Sequence, residues 1–180
     1  MMKNILVVVG AGNKNGNTNL LCDSFIQGAK DANHHVTKIN LDGRIMGCRG
    51  CGACQINGGS CVIQDDMQEY YPMFAKADII VLASPLYFWS ISGRLKSWID
   101  RLYAISINDE YPYRETMLLM TAGSDDFYAF EQAVSFYRFF TRALGWKDRG
   151  MVLAGGCRSE KEKYVPQSYI QEAYQLGKNL

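Results

Sequence analysis

The sequence predicts an α/β protein built on a doubly wound parallel sheet with helices on both faces, and three observations predict it. Short runs such as "ILVVV" (residues 5–9) and "DIIVLAS" (78–84) are apolar without alternation, as strands buried on both faces of a parallel sheet must be. Segments of helical period separate these runs. The first run passes into the glycine-rich stretch "GAGNKNGNTNLL" (10–21), which has the composition of a strand-to-helix turn.

In chain order, the first strand at 5–9 is followed by a helix whose buried face carries Leu21, Phe25 and Ala29. Asn17 or Thr18 is the expected cap, since either side chain accepts a bond from an orphan backbone N–H. "VTKIN" (36–40) is the second strand, and His34 and His35 before it read as a solvated turn. Met67, Tyr70, Phe74 and Ala77 form the next helical stripe, which Pro72 is expected to kink or shorten. Asp65 and Asp66 precede it as capping carboxylates.

After the third strand at 78–84, Ile91, Leu95, Trp98, Ile99 and Leu102 mark a helix, with Asp100 and Arg101 assigned to a solvated or subunit-contact face. "TMLLMTA" (116–122) is the fourth strand. Phe130, Val134, Tyr137 and Phe140 give a further helix, "GMVLAG" (150–155) the fifth strand, and a last helix runs from about Pro166. Cys22 falls on a helix and Cys157 after the last strand, so both read as packing residues. Strands alternating with helices imply right-handed crossovers.

The chain has 180 residues, which suits one domain spanning 1–180 with its own core. Nineteen basic and eighteen acidic residues leave a formal net charge of +1 with no block of like charge, so nucleic acid and anionic membrane are not expected partners. A small molecule is. The run at 5–9 is too short for a signal-peptide core or a membrane span, so the expected location is the cytoplasm.

Ligands of such sheets sit outside the carboxyl ends of the strands, where strand order reverses. The first loop supplies glycines and the N–H groups of a helix start, an anion site in composition. Gly10, Gly12 and Gly16 form G-x-G-x-x-x-G, one residue longer in its second gap than the dinucleotide fingerprint, and the chain leaves no room for a separate substrate domain. After the third strand, "SPLYFWS" (84–90) places Pro85 and Leu86 before three aromatics, Tyr87, Phe88 and Trp89. All three cannot enter one core, so a flat ligand is the expected companion of at least one.

Cys48, Cys51, Cys54 and Cys61 stand in "GCRGCGACQINGGSC" (47–61). C-x₂-C-x₂-C is the compact run that presents three thiolates to one [4Fe–4S] cube, with Cys61 as fourth ligand across a flexible gap. Reduced or reversibly oxidised thiols without metal are the second reading, and zinc the third, since no second C-x₂-C supplies its usual ligand pair.

These segments together resemble the NAD(P)H-dependent FMN reductases of flavodoxin-like fold, and among them the iron–sulfur flavoproteins. The resemblance rests on the glycine loop with Asn17-Thr18, on "CRGCGACQINGGSCVIQDDM" (48–67) and on "SPLYFWSISGRLKSWIDRL" (84–102), and extends to "TAGSDD" (121–126) and "LGWKDRGMVLAGGC" (144–157). It implies a five-stranded sheet of order 2-1-3-4-5 with FMN at the carboxyl edge. The phosphate is then held by the first loop through Gly12, Asn13, Asn17 and Thr18, the ribityl chain and one ring edge by Pro85, Leu86, Tyr87, Phe88 and Trp89. Thr121, Ala122 and Gly123 flank the ring. Family members commonly carry serine and arginine where this chain has Ala11 and Asn13, and Lys14 is the candidate replacement charge.

The activity implied is hydride transfer from NAD(P)H to FMN and onward to a quinone, another flavin or a small electrophile. The alternative is an electron relay from a ferredoxin-like partner through a [4Fe–4S] cluster to FMN. The resemblance also implies a homodimer or homotetramer whose neighbouring subunit helps enclose the flavin. A flavin supplies the redox chemistry itself, so no protein residue is assigned a catalytic role.

Overall fold

The continuous apolar runs do form strands buried from both sides. The computed structural model describes residues 1–106, 110–158 and 163–180. Its strands are β1 Asn4–Val9, β2 His35–Asn40, β3 Ile79–Pro85, β4 Glu115–Thr121 and β5 Lys147–Ala154. Every pairing between them is parallel, and their order is 2-1-3-4-5, the flavodoxin-like arrangement expected. Along β1, Leu6 and Val8 enter one core while Ile5, Val7 and Val9 enter the other, so one strand serves two layers.

Helices α1 Asn17–Asp31 and α6 Gln167–Lys178 cover one face of the sheet. Helices α3 Met67–Lys76, α4 Gly93–Arg101 and α5 Glu131–Ala143 cover the other, and α2 Ala53–Ile56 is a single turn inside the cysteine segment. α1 and α6 approach until their backbones touch. A Cβ added at Gly28 would overlap the Tyr174 carbonyl, and one at Gly177 would overlap that of Phe25.

Several local expectations need correction. α1 has Gly16 at its cap position and no side-chain cap, because Asn17 and Thr18 lie inside the helix and bond elsewhere. His34 is buried, its Nδ1 accepting the Lys3 N–H, and His35 opens β2 instead of lying in a solvated turn. α3 runs on through Pro72. Asp66 makes no cap bond there, its carboxylate being taken by the Arg44 N–H, while Asp65 accepts from Met67 N. β5 begins at Lys147, three residues before the apolar run, because an edge strand can leave its first side chains in solvent.

Arg101 is the largest correction. Instead of a solvated or subunit-contact face it occupies the interior, 1% exposed, in an ion pair with Asp65. Asp100, its neighbour, is exposed and paired with Lys96 one turn back.

Candidate functional site

Strand order reverses between β1 and β3, and a cavity of about 340 Å³ opens at their carboxyl ends. Its lining joins the first loop (Ala11, Gly12, Asn13, Gly16, Asn17, Thr18), the exit of β3 (Pro85, Leu86, Tyr87), the exit of β4 (Thr121, Ala122, Gly123) and Cys157. A second compartment, also about 340 Å³, shares Leu86, Tyr87, Ala122 and Gly123 with the first and adds Phe88, Trp89, Ser124 and Ala129. The two therefore meet along the exits of β3 and β4.

The first loop is shaped by Asn13. Its side-chain oxygen accepts from Asn15 N, and its carbonyl accepts from Gly16 N and from Asn19 Nδ2, which winds the chain directly into α1. The N–H groups of the first turn of α1 have no partner within the helix and carry the positive end of its dipole. Asn17 Nδ2 donates to the Arg158 carbonyl, while Asn17 Oδ1 is buried with no partner among the described residues. Thr18 and Thr121 share a hydrogen between their hydroxyl oxygens at 2.7 Å, joining α1 to the end of β4. One hydrogen lies between the two oxygens, so the other hydroxyl keeps its own to offer to a ligand.

Gly10 is fixed by crowding, not by backbone conformation. A Cβ there would stand 2.5 Å from Ser92 Oγ and 2.7 Å from Leu95 Cβ. Ser92 earns that proximity: its hydroxyl donates to the Gly10 carbonyl and accepts from Leu95 N as the cap of α4, and its N–H donates to Ser84 Oγ. Through these bonds the aromatic loop between β3 and α4 is pinned to the glycine loop.

That aromatic loop is a tight hairpin. Tyr87 and Ser90 exchange both backbone bonds at 3.0 Å, and Phe88 and Trp89 between them have φ of 46° and 59°. Two successive residues in the left-handed region make the turn whose usual occupants are Asn and Gly. Bulky side chains there cost of order 1 kcal/mol each, the kind of strain that collects at functional sites. Phe88 is 92% exposed, so no core packing offsets that cost, and its ring makes an edge contact with Trp89 at 6.4 Å between centroids.

The structure brings together most of the residues the sequence nominates, and separates two groups. Lys14 does not line the cavity; its ammonium lies 2.6 Å from Asp42, whose carboxyl this bond holds below the usual range. The cysteine segment lines neither compartment. Cys48 and Cys51 are exposed, Cys54 is buried and Cys61 is half-buried. Among the described residues, no three His, Cys, Asp or Glu side chains stand together as a metal site, so the four thiols as placed here do not fit a cube.

The sequence reading missed the site roles of Ser84, Ser92 and Cys157. Ser92 carried a readable signal, a serine three residues before Leu95 at the start of an apolar stripe. Burial pushes the Cys157 thiol up at the cavity wall, and pushes Cys22, packed in the core, up to about 12.

The fold and the place of its cavity define a flavodoxin-like α/β protein with its site at the switch point. Within that class, the family model for NADPH-dependent FMN reductase matches residues 3–146, and the chain belongs to this family. It is 30% identical over 123 residues to an iron-sulfur flavoprotein of Archaeoglobus fulgidus, covering 68% of this chain and 53% of that protein. It is 32% identical over 98 residues to the putative NAD(P)H-dependent FMN-containing oxidoreductase YwqN of Bacillus subtilis, covering 54% and 50%. The chain thus spans about half the length of these curated relatives.

Among solved structures, an NAD(P)H:quinone oxidoreductase from Methanothermobacter marburgensis superposes with a TM-score of 0.77 at 18% identity, over 99% of this chain and 97% of that one. An FMN-dependent NADH-azoreductase from Bacillus anthracis in complex with FMN superposes with a TM-score of 0.69 at 16% identity, over 99% and 97%. Both likenesses establish the fold. Among the described residues, no helix is long and apolar enough to cross a membrane.

Proposed function

We propose that the cavity holds FMN and that the protein is an oxidoreductase taking hydride from NAD(P)H and passing electrons to a quinone, another flavin or a small electrophile. The observation that carries this reading is the pair of adjoining compartments at the switch point, one walled by a helix start and hydroxyls, the other by aromatics. Bound there, FMN supplies the hydride acceptor and the electron chemistry.

The residues present suit that group. The free N–H groups at the start of α1 and the spare Thr18–Thr121 hydroxyl hydrogen donate to phosphate and ribityl oxygens. Asn17 Oδ1, without a partner among the described residues, accepts from a ribityl hydroxyl. Tyr87, Phe88 and Trp89 shield the ring, and Gly123 leaves its backbone free to approach the ring edge. With Lys14 tied to Asp42, the phosphate is held mainly by dipoles and hydroxyls instead of by that ammonium.

The test is anaerobic: FMN-loaded protein mixed with NADH or NADPH should lose its visible flavin absorbance. Unchanged absorbance with both nucleotides would overturn the reading. A second reading, favoured by the four cysteines and by the name of the Archaeoglobus relative, is an electron relay from a ferredoxin-like partner through a [4Fe–4S] cluster. It requires a rearranged cysteine segment, and iron and sulfide in anaerobically purified protein; flavin without either sinks it.

We also propose a homodimer or homotetramer, because the exposed Phe88, Trp89, Phe127 and Tyr128 suit cover by a second copy. A monomer in equilibrium sedimentation with FMN bound would contradict this.

A further inference from the structure

Away from the cavity, a second set of polar contacts converges on Arg101 at the end of α4, and it concerns the cysteine segment. Nη1 donates to the Met46 carbonyl at 2.9 Å and to Asp65 Oδ2 at 2.8 Å. Nη2 donates to Asp65 Oδ1 at 3.1 Å and lies 3.4 Å from the Ile63 carbonyl. Asp65 completes the junction, its Oδ2 accepting from Met46 N at 2.8 Å. Met46 stands just before Cys48 and Ile63 just after Cys61, so one buried pair grips both ends of the segment.

The residues that follow Arg101 hold the middle of the segment. Gln55 Nε2 donates to the Tyr103 carbonyl at 2.8 Å and to Ser106 Oγ at 3.3 Å. Gly59 backs onto the Ala104 carbonyl so closely that a Cβ would stand 3.1 Å from its oxygen. Gln68 Nε2 binds the carbonyls of Cys61 and Ile63 at 2.9 and 2.7 Å. The Tyr71 hydroxyl donates to the carbonyl of Arg101 itself at 3.1 Å. The segment is therefore docked onto residues 101–106, with the α3 residues Gln68 and Tyr71 bracing the junction.

We propose that Arg101 is the positioning residue of the cysteine segment, fixing where Cys48, Cys51, Cys54 and Cys61 stand, while the cavity keeps its shape without it. The planar guanidinium reaches a carboxylate and two carbonyls at once, a geometry that a lysine ammonium cannot reproduce. Removing that fork frees both ends of the segment together, whereas the loops around the cavity are tied by the hydrogen bonds of Ser84, Ser92 and Thr121, which among the described residues do not involve Arg101. The proposal holds whatever the cavity binds, so it stands or falls separately from the flavin reading.

The test is alkylation of the full-length, reduced protein by iodoacetamide under native conditions, quantified at each cysteine by mass spectrometry. Cys54 reports on the segment, and Cys22, on the buried face of α1 in the other core, reports on global opening. In Arg101→Lys the Cys54 rate should rise about tenfold or more while the Cys22 rate stays unchanged, as local release requires. An unchanged Cys54 rate, or a parallel rise at Cys22, overturns the proposal. Asp65→Asn repeats the measurement with the fork in place and the charge removed, and should give the same selective rise. If neither variant yields folded protein, the pair serves the whole fold and the proposal of a dedicated anchor fails.

Discussion

Gly10 lies where β1, the glycine loop and α4 meet, and the space its missing side chain leaves is filled by Ser92 and Leu95. Gly10→Ala is therefore expected to push the start of α4 outward and destabilise the protein by about 2 kcal/mol, the usual scale for overpacking. Urea unfolding measures it, and an unchanged midpoint would mean the loop relaxes freely. Asp65 makes a second prediction at this scale. Burial raises its pKa, but the Arg101 guanidinium and the N–H groups of Met46 and Met67 outweigh burial and hold the carboxyl below the usual range. The stability it contributes is then full above the unfolded-state value of about 4 and is lost as pH falls through the lower folded value. As pH falls below about 4, wild type should lose more stability than Asp65→Asn, and equal losses in denaturant titrations would refute the assignment. Neither Arg101 nor Lys14 was legible in the sequence. A charge reads as solvated until its partner is known, and Asp65 and Asp42 lie 36 and 28 residues away along the chain.

The elements were easier to read where one layer dictates composition. The runs of β1 and β3 are apolar because helices cover both faces, and sequence alone located them. β5 shows the converse: its first residues are polar at the sheet edge, so the apolar run began three residues late. The hairpin between Tyr87 and Ser90 was legible as an aromatic cluster but not as a turn, since Phe-Trp is a poor sequence for two left-handed residues. That contradiction yields a prediction. Replacing both residues, Phe88→Asn with Trp89→Gly, should stabilise the protein by about 1–2 kcal/mol through relief of backbone strain. The same variant should weaken FMN binding by up to about tenfold through loss of ring contacts. Fluorescence titration and thermal melting check the two halves. Loss of stability would mean that the aromatic rings, despite their exposure, hold the loop in place.

At the scale of the whole molecule, the switch point collects its walls from the exits of β1, β3 and β4 and from Cys157 beyond β5, and in the proposed complex the start of α1 receives the phosphate while Lys14 is tied to Asp42. A ligand that binds only the folded state stabilises by mass action, about 2.7 kcal/mol at a hundredfold excess over its dissociation constant. For a chain of this size that corresponds to a rise of roughly 5–10 °C in Tm with FMN. Riboflavin has the same ring and ribityl chain but no phosphate, so it leaves the helix start unfilled. At the same concentration it should raise Tm by much less, and the difference reports the contribution of the α1 N-terminus. The difference should also persist at high salt, because backbone dipoles and hydroxyls close to the phosphate are screened less than a solvent-exposed cation. Equal shifts with FMN and riboflavin would show that the ring alone anchors the ligand. A difference that vanishes with salt would instead return the phosphate to an exposed charge such as Lys14.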